Sequence, residues 1–468
     1  MCPQIFYQLC MMLFSTRMLC LLAVILMLFP QPGMADTWRL DKTLKTPSWL
    51  SFSGSHRVRY EYLDNRYRAG QSGNDELLLM QTLFKTSLQF DSVSMNLELL
   101  DARQSLADTD SSLTTGNVNA LDVLQAYLQQ THSNQNYTHT MKLGRFTMDV
   151  GSRRLLARNK FRNTINSFTG FEWITSHNQN SQVRVFYSLP VSRLSNQFDD
   201  LKDNQLKRDK ENHDVRLMGI FIKNLLWTDV QDEWYFYDLD EHDHANVATK
   251  DRDLQTIGSR LYIPSQPKHL DAEFEVALQW GHSRASKSET DNQDLDHFAY
   301  FAHMEVGYQA DGKGHPRIAL EFDYASGDDN PNDGDNNRFD TLYGVRRGDF
   351  GPLGIFGPIS RANIISPAIR LQFNPALDMT VIATYRGFWL ANDKDAWVTA
   401  KLHDVNGKTD SYVGQQFEAR LRWNMIPNNL RLEVGGAHFI KGSFARNAPN
   451  ASTDDDSTFV YTQATLIF

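Results

Sequence analysis

The chain is 468 residues long and acidic, with 47 Lys and Arg against 56 Asp and Glu and a formal net charge of −9. That balance excludes a nucleic-acid partner held by bulk positive charge. Its three cysteines, Cys2, Cys10 and Cys20, all precede residue 36, so the remainder has no disulfide framework, thiolate nucleophile or cysteine metal site.

Residues 1–35 read as a secretory signal peptide. Arg17 supplies the positive start, Leu19 to Phe29 is an unbroken apolar run, and Pro30, Pro32 and Gly33 break any helix. Gly33-Met34-Ala35 then offers small residues for cleavage. The apolar run is too short for a spanning helix, which needs about 20 residues. Cleavage removes Arg17 and no acid, so the charge moves from −9 to −10. No later stretch approaches the roughly 18 consecutive apolar residues of a membrane helix. Residues 36–468 are therefore either a soluble periplasmic protein or a chain that crosses a membrane without helices. The only other spanning structure that satisfies its backbone hydrogen bonds in lipid is a closed β-barrel.

Alternation with a period of two runs through nearly all of that sequence. In 271–281, Phe274, Val276, Leu278 and Trp280 share one face, while Asp271, Glu273, Glu275 and Gln279 share the other. In 297–309, Phe298, Tyr300, Ala302, Met304, Val306 and Tyr308 oppose His297, His303, Glu305 and Gln309. In 416–423, Phe417, Ala419, Leu421 and Trp423 oppose Gln416, Glu418, Arg420 and Arg422. The pattern predicts strands near 51–63, 77–91, 92–102, 121–132, 138–146, 165–177, 182–189, 213–222 and 233–240. It continues with 254–263, 270–284, 296–310, 316–326, 363–373, 377–390, 412–424, 429–440 and 458–468. Those before residue 270 are less regular. The connections alternate long and short, as in an outer-membrane barrel with long extracellular loops, short turns and both termini in the periplasm. The last strand ends on Phe468, and a terminal aromatic on an alternating strand resembles the assembly signal of such barrels. A soluble sandwich of this size would need several domains with linkers, and none is visible.

Several short blocks stand in order along the chain. They begin with Pro47-Ser48-Trp49-Leu50, Arg57-Val58-Arg59-Tyr60-Glu61, Glu98-Leu99-Leu100-Asp101-Ala102-Arg103 and Leu124-Gln125-Ala126-Tyr127-Leu128. A dense block runs from Gly144-Arg145 through Gly151, Arg153-Arg154-Leu155, Ala157-Arg158-Asn159 and Arg162-Asn163 to Phe168. A second holds Ser326-Gly327-Asp328, Arg338-Phe339-Asp340-Thr341-Leu342, Gly348-Asp349-Phe350-Gly351 and Ser360-Arg361-Ala362-Asn363-Ile364. Phe388-Trp389-Leu390-Ala391, Phe417-Glu418-Ala419-Arg420-Leu421 and Leu432-Glu433 follow. Together these make the chain, from Pro47 onward, resemble the alginate-export family of outer-membrane channels. The resemblance implies an eighteen-stranded monomeric barrel whose arginine-rich, electropositive constriction passes an acidic polysaccharide. Channels of this type can be plugged by an extended periplasmic turn, whereas the turns inferred here are short, 223–232 being the longest.

Strand parity points Arg57, Arg59, Arg184, Arg317, Arg370, Arg386, Arg420, Arg422 and Arg431 into the lumen. A polyuronate carries about one carboxylate per sugar, and guanidinium presents a fixed fork for carboxylate. A ring of such groups admits anions and repels cations. Glu61, Glu98, Glu273, Glu275, Glu305, Glu321, Glu418 and Glu433 face inward too, so the same arginines equally suit a stiffening ladder of ion pairs. As adjacent same-face pairs, Arg57 with Arg59 and Arg420 with Arg422 are the strongest candidates for the substrate path, followed by Arg184, Arg370 and Arg386. The four arginines of the two pairs are expected to face water and to matter little to stability.

Arg145, Arg153, Arg154, Arg158, Lys160 and Arg162 form a basic stretch in or beside a long loop, suited to a vestibule, to lipopolysaccharide phosphates or to plain solvation. The Asp328–Asp340 segment fails the EF-hand pattern, with Asp333 at position 6 and Phe339 at position 12, and reads as a polar loop. Gly351, Gly354 and Gly357 lack the strand-turn-helix unit of a phosphate cradle. The loop from Gly327 to Asn363, the longest, is expected to fold into the mouth and narrow it. His303 with Glu305, and His242 with His244, match no catalytic motif. The leading reading is therefore a channel for anionic polysaccharide, seated in outer-membrane lipid and lipopolysaccharide, with no cofactor, metal or catalytic residue. A porin for small organic anions and a barrel hydrolase are the alternatives.

Overall fold

Side chains that alternate between lipid and lumen force an extended backbone, and the chain follows that instruction almost throughout. The computed structural model describes residues 37–178, 180–226, 230–243, 249–288 and 290–468. The expected signal segment, His244 and part of the 223–232 turn lie outside the described residues. The strands are β1 (Leu50–Asp64), β2 (Asp75–Phe90), β3 (Val93–Ser105), β4 (Asn119–Ser133), β5 (Tyr137–Phe146), β6 (Phe168–His177) and β7 (Ser181–Ser192). Next come β8 (Lys210–Glu211), β9 (Val215–Lys223), β10 (Gln231–Glu241), β11 (Asp253–Ile263), β12 (Leu270–Ser283), β13 (Leu295–Gln309) and β14 (Arg317–Ala325). The last are β15 (Asp335–Asn336), β16 (Ile364–Phe373), β17 (Met379–Trp389), β18 (Tyr412–Ile426), β19 (Leu430–Lys441) and β20 (Ser457–Ile467).

Two of these, β8 and β15, are two-residue pieces in loops, and the other eighteen make the wall. Every wall strand pairs antiparallel with its neighbours, and β1 closes the ring by pairing with both β2 and β20. Arg57 thus stands opposite Gln81 on one side and Thr465 on the other. Among the described residues no wall strand is left with an unpaired edge, as a bilayer requires. Strand β6 starts at Phe168 rather than 165, because Ile165 turns to pack with Leu100, Ala102 and Leu124.

Long connections gather at one end, the longest spanning 147–167, 193–214, 326–363 and 390–411, and short ones at the other. The start of β1 and the end of β20 lie at the short-turn end, where the Phe468 and Gly54 backbones exchange hydrogen bonds of 3.0 and 2.8 Å. Outward positions such as Leu278, Phe298, Tyr300 and Met304 are exposed, as lipid-facing residues are.

The lumen is not a simple water-filled tube. Inward Glu61, Gln279 and Asp323 are each 0% exposed, so other protein covers them. Loop residues Phe161, Phe339, Phe350, Leu353, Ile355 and Phe356 form one apolar cluster with inward wall residues such as Leu63, Tyr237, Phe301, Phe388 and Phe459. Each buried Phe contributes about 1.5–3 kcal/mol, which is what holds the loops inside.

Candidate functional site

Residues 147–167, between β5 and β6, cross the lumen as a strap. Near its start Ser152 Oγ donates to Glu275 on β12 at 3.1 Å, and Arg154 Nη1 donates to the same carboxylate at 2.6 Å while also pairing with Glu273. Further on, Arg158 pairs with Glu98 on β3 at 2.6 Å. Arg57 on β1 then donates to the carbonyls of Lys160 and Arg162 at 2.9 and 2.8 Å, and Arg59 to that of Phe161 at 2.5 Å. Asn163 fixes the far end: its amide donates to the carbonyls of Met80, Arg103 and Asn117, and its own carbonyl accepts from Gln81 at 2.6 Å.

The 326–363 loop packs beside the strap. Leu155 and Tyr343 share a 2.9 Å backbone hydrogen bond, and Ala157 donates to the Tyr343 carbonyl at 3.2 Å. The expectation that this loop enters the barrel agrees with its buried Phe339, Phe350 and Phe356. Gly351 and Gly354, at φ +84 and +72, let the backbone close on the wall carboxylates Glu418 and Glu61, where a Cβ would collide. Glu61 accepts from the Ile355 N–H at 3.0 Å and pairs with Arg59 at 2.7 Å.

These contacts correct part of the expectation for the lumen arginines. All face inward as parity requires, but Arg57, Arg59 and Arg386 are 6%, 0% and 1% exposed and do not face water. They anchor the loops and the wall. Arg386 pairs with Glu321 and, at 3.0 Å, with Asp323. Arg370 pairs with Glu321 at 2.8 Å, Arg184 lies 3.5 Å from Glu172, and Arg317 pairs with Asp271 and Glu305. Arg422 pairs with Glu433 at 2.8 Å yet keeps 41% of its side chain exposed. Among the described residues neither Arg420 nor Arg431 forms an ion pair. The basic stretch separates in the same way. Arg145 pairs with Glu211, Arg154 and Arg158 hold the strap, and Lys160 is exposed near Asp149. His303 is buried against Asp323 at 2.8 Å, and His242 pairs with Asp240 and Asp251 at the loop end.

At that same end the loops enclose a cavity of about 410 Å³ whose lining includes Arg162, Arg193, Lys250, Arg338 and Arg346 against one acid, Asp340. Of these only Arg162 was marked by sequence pattern, and Arg338 lay in a block that carries the resemblance. Arg193, Lys250 and Arg346 sit on loops where strand parity gives no direction, so no signal of that kind could have found them. Arg347 was missed for the same reason. It donates to the Tyr461 hydroxyl at 2.6 Å and lies 3.7 Å from Glu433.

The chain matches the alginate export family over residues 48–459. No curated protein matches it. Solved structures share the barrel. OccAB1 of Acinetobacter baumannii is 11% identical with a TM-score of 0.58, covering 94% of this chain and 100% of that one. OccK9 (OpdG) of Pseudomonas aeruginosa is 12% identical with a TM-score of 0.56, covering 90% and 98%. The outer membrane protein opdK of Pseudomonas aeruginosa is 12% identical with a TM-score of 0.54, covering 89% and 99%. At these identities the likeness is one of fold. With a closed barrel, loops folded into its lumen and a family match over nearly its whole length, the chain belongs to the alginate export family and is a Gram-negative outer-membrane channel protein.

Proposed function

We propose that this channel passes an anionic polysaccharide of the polyuronate class by diffusion, without cofactor, metal or catalysis, along the lumen face of β18, β19, β20 and β1. One observation carries the reading: each acid of that face lies within ion-pair distance of an arginine, Glu418 at 3.9 Å from Arg347, while two of the face's own arginines form no ion pair among the described residues. Glu61 is held by Arg59 and by the Gly354–Ile355 backbone, and Glu433 by Arg422 and by the Tyr461 hydroxyl at 2.7 Å. Arg420 and Arg431 form no ion pair among the described residues, and Arg422 keeps 41% of its side chain exposed beside Glu433. A face of this kind presents net positive charge to a passing carboxylate. Of the residues expected on the path, Arg420 and Arg422 are its centre and Arg370, on β16, its partly compensated flank; Arg184, on β7, stands away from this face and donates to the Asp149 carbonyl of the strap at 3.0 Å. Arg57, Arg59 and Arg386 act by holding the loops and wall that shape it.

Planar-bilayer recording tests this directly. Anion preference in a salt gradient, with block by oligouronate and none by acetate, is the expected result. A porin for small organic anions shares the fold and the anion preference but shows no block that grows with oligouronate length. Cation preference in the native channel overturns both.

A further inference from the structure

Consecutive wall strands are joined by a turn or loop, and turn geometry helps to fix the register of the pair it connects. The seam has no such guide, because β1 and β20 come together from opposite ends of the chain. Period-two alternation forbids a slip of one residue there, since it would turn every lipid-facing side chain inward. A slip of two keeps both faces. Alternation alone therefore does not select the observed alignment, in which Val58 opposes Ala464 and Glu61 opposes Tyr461. At the end of the seam a glycine meets an aromatic. Gly54 and Phe468 exchange both backbone hydrogen bonds and so stand directly opposite. A Cβ on Gly54 would lie 2.6 and 2.7 Å from Cε2 and Cζ of the Phe468 ring, so the ring covers the space that a side chain would take. Three further pairs share this arrangement: Gly219 opposes Tyr237, Gly258 opposes Tyr235 and Gly435 opposes Tyr461, each glycine lacking room for a Cβ beside the ring. Rings folded over cross-strand glycines help to pin register in β-sheets.

We propose that Gly54 and Phe468 form the register key of the seam: the terminal ring seats on the one position of β1 that has no side chain, and so selects one alignment of the closing strands. Gly54 is the single glycine of β1, and its neighbours on the lipid-facing side are Phe52 and His56. A slip of two in either direction sets the Phe468 ring against one of those side chains. The lumen depends on the choice. Strand β1 carries Arg57 and Arg59, which grip the strap, while β20 carries Tyr461, which accepts from Arg347 and meets Phe161 edge-on. A slip of two moves these anchors past one another by about 7 Å, so the strap and the 326–363 loop lose their shared contacts. Closure of this kind is independent of what the channel carries.

The test is disulfide mapping of the full chain assembled in membranes. Beyond residue 35 the sequence has no cysteine, so introduced pairs report alone. Val58→Cys is combined in turn with Ala464→Cys, its observed partner, and with Thr462→Cys and Leu466→Cys, its partners after a slip of two. All four positions share the lipid-facing side. A disulfide needs Cα atoms within about 4.4–6.8 Å, which directly opposite residues meet and diagonal ones do not. With Gly54 and Phe468 in place, cross-linking should run almost wholly through Val58 and Ala464. Gly54→Val and Phe468→Ala should each lower that yield about threefold, the scale of one lost cross-strand pair. The Thr462 or Leu466 pair should rise in its place within the heat-modifiable fraction. Phe468→Tyr keeps a ring and should keep the native pattern. If Phe468→Ala assembles too little to map, Phe468→Leu supplies the ring-free barrel. Native cross-linking undiminished in either assembled Gly54→Val or the ring-free variant overturns the key, and leaves Phe468 a recognition signal with no part in alignment.

Discussion

The guanidinium of Arg59 lies 4.2 Å from the ring centroid of Phe161 and donates a 2.5 Å hydrogen bond to the carbonyl of the same residue. A wall residue therefore holds the strap by both backbone and side chain. The Arg347 guanidinium, from the neighbouring loop, sits 4.6 Å from that ring, and Tyr461 meets it edge-on at 5.5 Å. Phe161 thus joins β1, β20 and both lumen loops. Replacing it by Ala removes a buried aromatic worth about 3–5 kcal/mol, with cation–π contacts of about 0.5–2 kcal/mol each included in the loss. The wall ladder does not depend on it. Phe161→Ala should keep a heat-modifiable barrel while raising single-channel conductance and antibiotic uptake. Conductance equal to the native value would mean that the strap does not limit flow.

Arg420 and Arg422 stand two residues apart on one face of β18, so their charged groups project about 7 Å from each other. Loop acids such as Asp454 to Asp456 lie at the far end of the barrel, and charges beyond about 8 Å are screened in physiological salt. Local basic charge should then outweigh the acidic whole. Arg420→Glu/Arg422→Glu should move the zero-current potential toward cations and weaken oligouronate block, with assembly intact. An unchanged potential would transfer selectivity to the loops.

The wall was legible because lipid writes directly into sequence. Phe274, Val276, Leu278 and Trp280 face one side of β12 because nothing polar can face lipid there, and all eighteen wall strands follow from that constraint. What covers the inner face was not legible. Parity places Arg59 and Arg420 on the same side of the wall, yet one is sealed beneath Phe161 and the other forms no ion pair among the described residues. That difference is decided by loops with no period of their own. Gly354 illustrates the gap: in sequence it is one of three spaced glycines, and only the folded loop shows that Glu61 must fit against it.

Gly354 itself is testable. Its φ of +72 is costly for any L side chain, and a Cβ would meet the Glu61 carboxylate. Gly354→Ala should destabilise docking of the 343–359 segment by about 1–3 kcal/mol, the usual scale of such backbone strain. Protease cleavage within that segment should rise while the barrel stays folded. Equal protection in variant and native protein would show that the loop has room to shift.

The 193–214 loop offers a pH dependence with a definite sign. Asp209 accepts from the Leu194 N–H at 2.9 Å and from Asn119 at 2.7 Å, and its own N–H donates to Asp122 at 2.5 Å. Burial, with Asp122 adding to it, raises the Asp209 carboxyl from 3.8 to about 6, although its two donors and nearby Arg193 oppose the shift. The docked loop therefore favours the protonated form. Between pH 3.8 and about 6 the docked state binds more protons than the released one, so docking weakens as pH rises through that window. It is strongest below the window, and the loss is complete above it. Amide exchange over residues 194–212, corrected for intrinsic rates, should show protection falling from pH 4 to pH 6.5. Asp209→Asn removes the titration and should flatten this profile. Protection that rises with pH, or a variant as pH-sensitive as the native chain, would assign the loop's stability to contacts other than Asp209.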